Sequence, residues 1–145
     1  MTENEDRPRI LRAIRKCLGE ADKCFNDAQD SLDEVFKGSM GVGMTPLIGG
    51  YAIKDPKNQF RQALIKVDSA DKALLPLLKR VKDGRVNESH FKSQRAMILL
   101  GDLMGMDYNI LIQKLNEQRG RESTWYRLKE LREKIAELLE LIADE

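Results

Sequence analysis

Three stretches of this chain set apolar side chains at alternating steps of three and four, the spacing that lines up one face of an α-helix. The plainest is Ala63, Val67, Ala70, Leu74, Leu77 and Val81. A second runs Ile10, Ile14, Cys17, Ala21, Cys24, Ala28, Leu32 and Val35, and a third runs Leu128, Leu131, Ile135, Leu138 and Ile142, widened by Leu139 and Leu141. An apolar stripe on an otherwise polar helix must be covered, so these segments have to fold against one another. Nowhere do Val, Ile and Thr alternate with polar residues over a useful length, so the pattern argues against strands.

Local signals set the expected ends. Pro8 suits a helix's first turn, and Gly38 is expected to stop the first segment. The second begins after Pro56, and its register continues across Pro76, which predicts one helix kinked at the proline rather than two. Asp83-Gly84 ends it, with glycine at the position just past the helix. Asn87 is a good N-cap for a third segment, which is apolar on nearly every face from Ala96 to Ile112 and ends before Gly120. The last starts near Glu122-Ser123-Thr124. The expected fold is all-α: one domain over 1–145, an antiparallel four-helix bundle with a flexible 1–6 and a long Gly-rich apolar crossover loop over 38–56.

That crossover is unusual. From Gly38 to Ile53 sixteen residues pass without a charge, in a chain that is 34% charged, and they hold five of its ten glycines. Disordered segments are normally charged and poor in apolar residues. This one carries Met40, Val42, Met44, Leu47, Ile48, Tyr51 and Ile53. The expectation is an ordered segment lying on something apolar, with Met40, Met44, Leu47, Ile48 and Tyr51 as contact residues, for this chain or for another protein.

Charge is nearly balanced, 25 Lys+Arg against 24 Asp+Glu, so no global field draws the chain to a polyanion. Locally, residues 54–95 hold eleven basic groups against five acidic ones, while residues 17–37 hold six acids against two lysines. Cys17 and Cys24 are two helical turns apart, roughly 10 Å, too far for a disulfide. They read as reduced core residues of a cytoplasmic protein. The polar start MTENEDRPRI lacks a signal core, and no stretch reaches the ~20 apolar residues of a membrane span.

Catalytic chemistry finds little footing. A di-iron bundle needs Glu-x-x-His on two helices, and the chain has one histidine, His90, two residues after Glu88. His90 is expected to face solvent in a first helical turn, away from Cys17 and Cys24, so a Cys–His nucleophile is not expected. Asp27, Asp30, Asp33 and Glu34 in the first segment, and Glu130, Glu133, Glu137 and Glu140 in the last, have the spacing of carboxylates that hold Mg²⁺. That spacing is also routine on a solvated face, and Lys129, Arg132 and Lys134 interleave with the second set. Gly41-Val-Gly43 lacks the preceding strand and the Gly-Lys-Ser/Thr ending of a phosphate loop. Met40 and Met44 suit packing better than soft-metal binding. Leu100 to Leu111 has the turn of a helix-turn-helix, but Tyr108, Asn109, Ile110, Leu111 and Ile112 after it are not a DNA-reading set.

Two basic clusters remain. Lys79, Arg80, Lys82, Arg85, Lys92 and Arg95 form a candidate nucleic-acid hairpin, although only Phe91 is near to stack on bases. Arg7, Arg9, Arg12, Arg15 and Lys16, beside Ile10, Leu11, Ile14 and Leu18, have the pattern of a membrane-surface arm; the stripe's continuation into a long helix favours a core face. The third segment offers a seam (Met97, Leu100, Met104, Tyr108, Leu111, Leu115) and a second apolar row, Leu99, Leu103, Met106 and Ile110, that needs its own cover. The reading is therefore a non-enzymatic interaction module that self-associates, most simply as a homodimer, with the uncharged loop or that row as the contact and no metal or cofactor. The loop covering the row within one chain is the alternative to a second subunit. A nucleic-acid-binding accessory protein and a Mg²⁺-dependent nucleotide hydrolase stand as alternatives.

Overall fold

The computed structural model describes the backbone of residues 2–44 and 56–143 and the side chains of residues 7–35 and 57–143. The described residues are all-helical: α1 (Thr2–Met44), α2 (Pro56–Lys82), a 3₁₀ turn (Glu88–His90), α3 (Gln94–Met104), α4 (Tyr108–Asn116) and α5 (Arg121–Ala143). Both ends of α1 depart from expectation. It begins at Thr2 with Pro8 inside it, and it continues through Gly38 to Met44. An interior glycine costs a helix about 1 kcal/mol relative to alanine, which is a penalty and not a barrier, and no proline follows before Pro46. Met40 and Met44 are thus helical, while Leu47, Ile48 and Tyr51 lie outside the described residues, as does most of the expected 38–56 loop.

α2 follows the sequence reading closely. It is one helix through Pro76, and Phe60, Ala63, Val67, Ala70, Leu74 and Leu77 are buried, with Val81 half-buried at its end. Gly84, at φ 77°, closes it as a left-handed terminator, with the Gly84 amide donating to the Val81 carbonyl at 3.2 Å. In α1 the buried stripe is Leu11, Ile14, Leu18, Ala21, Phe25, Ala28, Leu32 and Val35. Ile10, Cys17 and Cys24, expected in the seam, sit half-buried on its rim. Leu18 and Phe25 remove more apolar area from water than the neighbouring cysteines would, and they take the centre.

The expected third helix is three pieces. Asn87 does cap, but it caps the short 3₁₀ turn, accepting from the Ser89 amide at 2.9 Å, while His90 Nδ1 accepts from the Asn87 amide at 3.1 Å. His90 is buried, not solvent-facing. Ser93 restarts the chain as α3 by accepting from the Ala96 amide at 3.4 Å. Gly105 ends α3, its amide donating to the Gly101 carbonyl at 2.9 Å, and Asp107, in extended backbone, accepts from the Asn109 amide at 3.0 Å to begin α4. Stop and start signals lie two residues apart, and the chain turns a corner between them. Each piece then chooses its own face: Ala96, Leu99, Leu100 and Leu103 are buried from α3, and Tyr108, Leu111 and Leu115 from α4. Of the two rows drawn on one straight helix, the seam keeps Leu100, Tyr108, Leu111 and Leu115 buried, while the second row is broken at the corner, with Leu99 and Leu103 buried and Ile110 exposed.

Polar ties fix the directions. Cys17 lies against the Leu77 backbone, and Lys66 reaches Asp27 at 3.6 Å, so α1 and α2 run antiparallel. Arg15 donates to the Ile142 carbonyl at 2.8 Å, and Arg132 donates to Asp22 and to Gln29 Oε1, each at 3.0 Å, so α5 is antiparallel to α1. Arg95–Glu137 and Lys134–Asp102 set α3 antiparallel to α5 in the same way. In α5, Leu128, Leu131, Ile135, Leu138 and Ile142 are all buried, as their spacing predicts.

Candidate functional site

The corner between α3 and α4 is held from inside. Tyr108, the first residue of α4, stacks on Phe25 of α1 with ring centroids 5.8 Å apart. Its hydroxyl donates to the Leu103 carbonyl at 3.1 Å, back across the corner. Burial, helped by the charge of Asp71, pushes the phenol well above its ordinary pKa, so the hydroxyl keeps its proton and remains a donor. Asp71 itself is shifted upward, chiefly by burial and then by the like charges of Asp68 and Asp107, with Lys72 opposing.

Outside this corner lies a small, mostly apolar groove of about 30 Å³, lined by Leu74, Leu75 and Leu78 of α2 and by Leu103, Met104 and Met106, with Asp71 and Tyr108 at its edge. Leu75 is 45% exposed there, and Met104 and Met106 are half-buried. A space this size holds little more than one water; it suits the tip of one apolar side chain. Of the expected contact row, Leu99 and Leu103 are fully buried within the chain, Met106 lines the groove, and Ile110 is exposed two residues past Tyr108. Leu75 and Leu78 escaped the sequence reading because they fall off the α2 stripe. The signal was present in Leu74-Leu75-Pro76-Leu77-Leu78, which carries more apolar side chains than one face can bury.

A larger cleft, about 290 Å³, lies between α1 and the start of α5, lined by Leu32, Asp33, Arg121, Glu122, Trp125 and Tyr126. Trp125 and Tyr126 meet edge to face at 5.1 Å. The Trp125 indole N–H is buried without a hydrogen-bond partner among the described residues.

The six-residue basic hairpin is divided by the fold. Arg85 pairs with Asp83 at 2.8 Å, and Arg95 grips Glu137 with two nitrogens at 2.8 and 3.1 Å. That pairing raises the Arg95 pKa and lowers that of Glu137. Lys79 and Lys82 are exposed at the end of α2, Arg80 is half-buried beside them, and Lys92 is exposed after the 3₁₀ turn. Of the carboxylates considered for Mg²⁺, Asp27 faces Lys66, Glu130 faces Arg127 and Glu137 faces Arg95, while Asp30, Asp33 and Glu34 line one open cleft with Ser31 and Gln59. Among the described residues no group of three His, Cys, Asp or Glu side chains is arranged to hold a metal ion. Cys17 and Cys24 are free thiols, both shifted upward by burial, so neither is primed as a nucleophile.

No helix among the described residues is long and apolar enough to cross a membrane. No family model matches this sequence, and no curated protein and no solved structure matches it.

Proposed function

We propose that this chain is a non-enzymatic helical interaction module that pairs with a second copy of itself through the corner between α2 and α3–α4. The observation that carries the reading is the groove around half-exposed Leu75, walled by Leu78, Met104 and Met106. Methionine side chains rearrange to fit an incoming surface, and Leu75, 45% exposed beside them, gives a second copy an apolar side chain to cover. Two copies related by a two-fold axis place Leu75 of each in the groove of the other, since such an interface uses one patch twice. In this reading the chain is a single four-helix bundle in which α3 and α4 make one bent arm, and free cysteines support placing it in the cytoplasm.

Light scattering at micromolar concentration tests the proposal. A mass twice the 16.6 kDa of the chain is expected. Leu75→Glu with Met106→Glu should return it to the single-chain mass with an unchanged circular dichroism spectrum. A wild-type mass near that of one chain refutes self-association, and a double variant that stays dimeric moves the contact elsewhere.

A further inference from the structure

The fold brings together two basic runs that are far apart in sequence and that neither run announces alone. Cys17 of α1 lies against the Leu77 backbone of α2, and the charges of Arg80 and Lys16 both act on its thiol. Arg7 Nε donates to the His90 carbonyl at 3.1 Å, which seats the first turns of α1 on the segment that follows α2. Arg9, Arg12 and Lys16 therefore stand at the same end of the molecule as Lys79, Arg80 and Lys82. Five of these are exposed and Arg80 is half-buried. None of the six is held in an ion pair among the described residues, whereas Arg85 and Arg95 nearby are engaged by Asp83 and Glu137. Those pairs also remove two of the local acids, so that among the described residues of 7–20 and 79–95 Glu20 and Glu88 are left, with Glu3, Glu5 and Asp6 preceding Arg7 in the sequence.

Two ordinary explanations fall short. Basic residues in a last helical turn offset the helix dipole, which accounts for Lys79, Arg80 and Lys82 but not for Arg9, Arg12 and Lys16, which lie in the N-terminal part of α1. A membrane-surface arm needs a free apolar face, and Leu11, Ile14 and Leu18 are 2%, 0% and 0% exposed because that face is the core. A partner made of phosphates alone fits what remains. Aromatic platforms serve unstacked bases, and at this end Phe91 is buried, while Trp125 and Tyr126 line the cleft at the far end of α5.

We propose that this end of the molecule docks on the phosphate backbone of a nucleic-acid duplex, DNA or RNA, without reading its sequence. The Arg9–Lys16 stripe spans about 10 Å along α1, and duplex DNA carries a phosphate charge for every ~1.7 Å of its axis, so both rows can meet phosphates at once. Lys79 and Lys82 stand one helical turn beyond Leu75 and Leu78 on α2, so the basic end borders the Leu75 groove; the phosphate contacts themselves do not require self-association.

The test is fluorescence anisotropy of the full chain with a labelled duplex of arbitrary sequence, titrated between 50 and 200 mM salt. With about five phosphate contacts the log–log salt slope is expected near −4.5, a loss of about 500-fold over that range. Changing the sequence should leave the affinity unaltered. Arg12→Ala/Lys16→Ala/Arg80→Ala should reduce the slope by about 2.7, while Lys23→Ala/Arg127→Ala/Lys129→Ala, which removes the same charge elsewhere, should reduce it far less. Thermal melts of both variants establish that each is folded. Absence of binding at 50 mM salt overturns the proposal, as does an equal response of the two triple variants. Tighter binding to a single strand, or to phosphatidylserine vesicles, than to the duplex also overturns it.

Discussion

Removing one oxygen from Tyr108 probes the corner on which the proposed contact depends. Leu103 lies in the last turn of α3, where carbonyls have no further amide of their own helix to accept from. The Tyr108 hydroxyl fills that role at 3.1 Å, inside a core where both Leu103 and Tyr108 are buried. Tyr108→Phe keeps the ring against Phe25 and deletes only the donor. A buried hydrogen bond contributes about 0.5–1.5 kcal/mol net, and stranding the acceptor raises the cost toward 1–3; because the ring packing survives, about 1–2 kcal/mol is expected. For a chain of this size that lowers the Tm by about 3–6 °C. Urea denaturation should show the midpoint falling with the m-value unchanged, and hydrogen exchange should speed up in α4 before α1 and α2 respond. Tyr126→Phe, at a side chain 59% exposed, is the control and should stay within about 0.5 kcal/mol. Equal midpoints for wild type and Tyr108→Phe would refute the tether. If the tether holds Met106 against Leu75, the same variant should also weaken self-association.

Three further outcomes follow from backbone and charge. Gln118 occupies the left-handed position after α4 at φ 58°, with its amide bonded to the Leu115 carbonyl and the Arg119 amide bonded to the Lys114 carbonyl, each at 3.0 Å; Gln118→Gly should raise stability by about 0.5–1 kcal/mol. By contrast Gly120→Ala, at φ 69° and with an added Cβ 3.1 Å from the Lys114 side chain, should lower it, and melting curves that rank the two the other way would refute this. Asp71 holds its proton more tightly folded than unfolded, so its contribution to stability is complete below the unfolded carboxyl pKa and is lost as pH rises through the folded one. Asp71→Asn should accordingly raise the urea midpoint at pH 7 and leave it unchanged near pH 3; a gain of equal size at both would show that charge is not the cause.

The stripes of α2 and α5 were legible because nothing local interrupts them and each needs only one periodic face. The α1 stripe was legible in its period but not in its centre, since Ile14-x-x-Cys17 and Ile14-x-x-x-Leu18 both fit a helix, and only the volume available between α2 and α5 decides. Gly105-Met106-Asp107 was readable as a stop and a cap, yet the apolar content on either side made one long helix the simpler choice, and the continuous second row from Leu99 to Ile110 followed from it. Gly38 misled in the opposite direction, as glycine ends helices only where something else competes for the chain. The groove and the six-residue basic end were invisible for another reason. They are juxtapositions of α1, α2 and the α3–α4 corner, and no window along the chain contains them.

Stripes that repeat every seven residues carry an ambiguity of their own. Slid by one repeat, about 10 Å, α5 would again offer Leu or Ile wherever α1 expects one, and the oily faces would hardly register the change. Arg132 would register it, because it holds Asp22 and Gln29 together, and Arg15 is fastened to a single carbonyl near the other end of α5. Fixing register is the best-attested use of such half-buried polar groups between helices. The apolar stripe selects which faces meet; the arginines act as the notch that determines where along their length they stop.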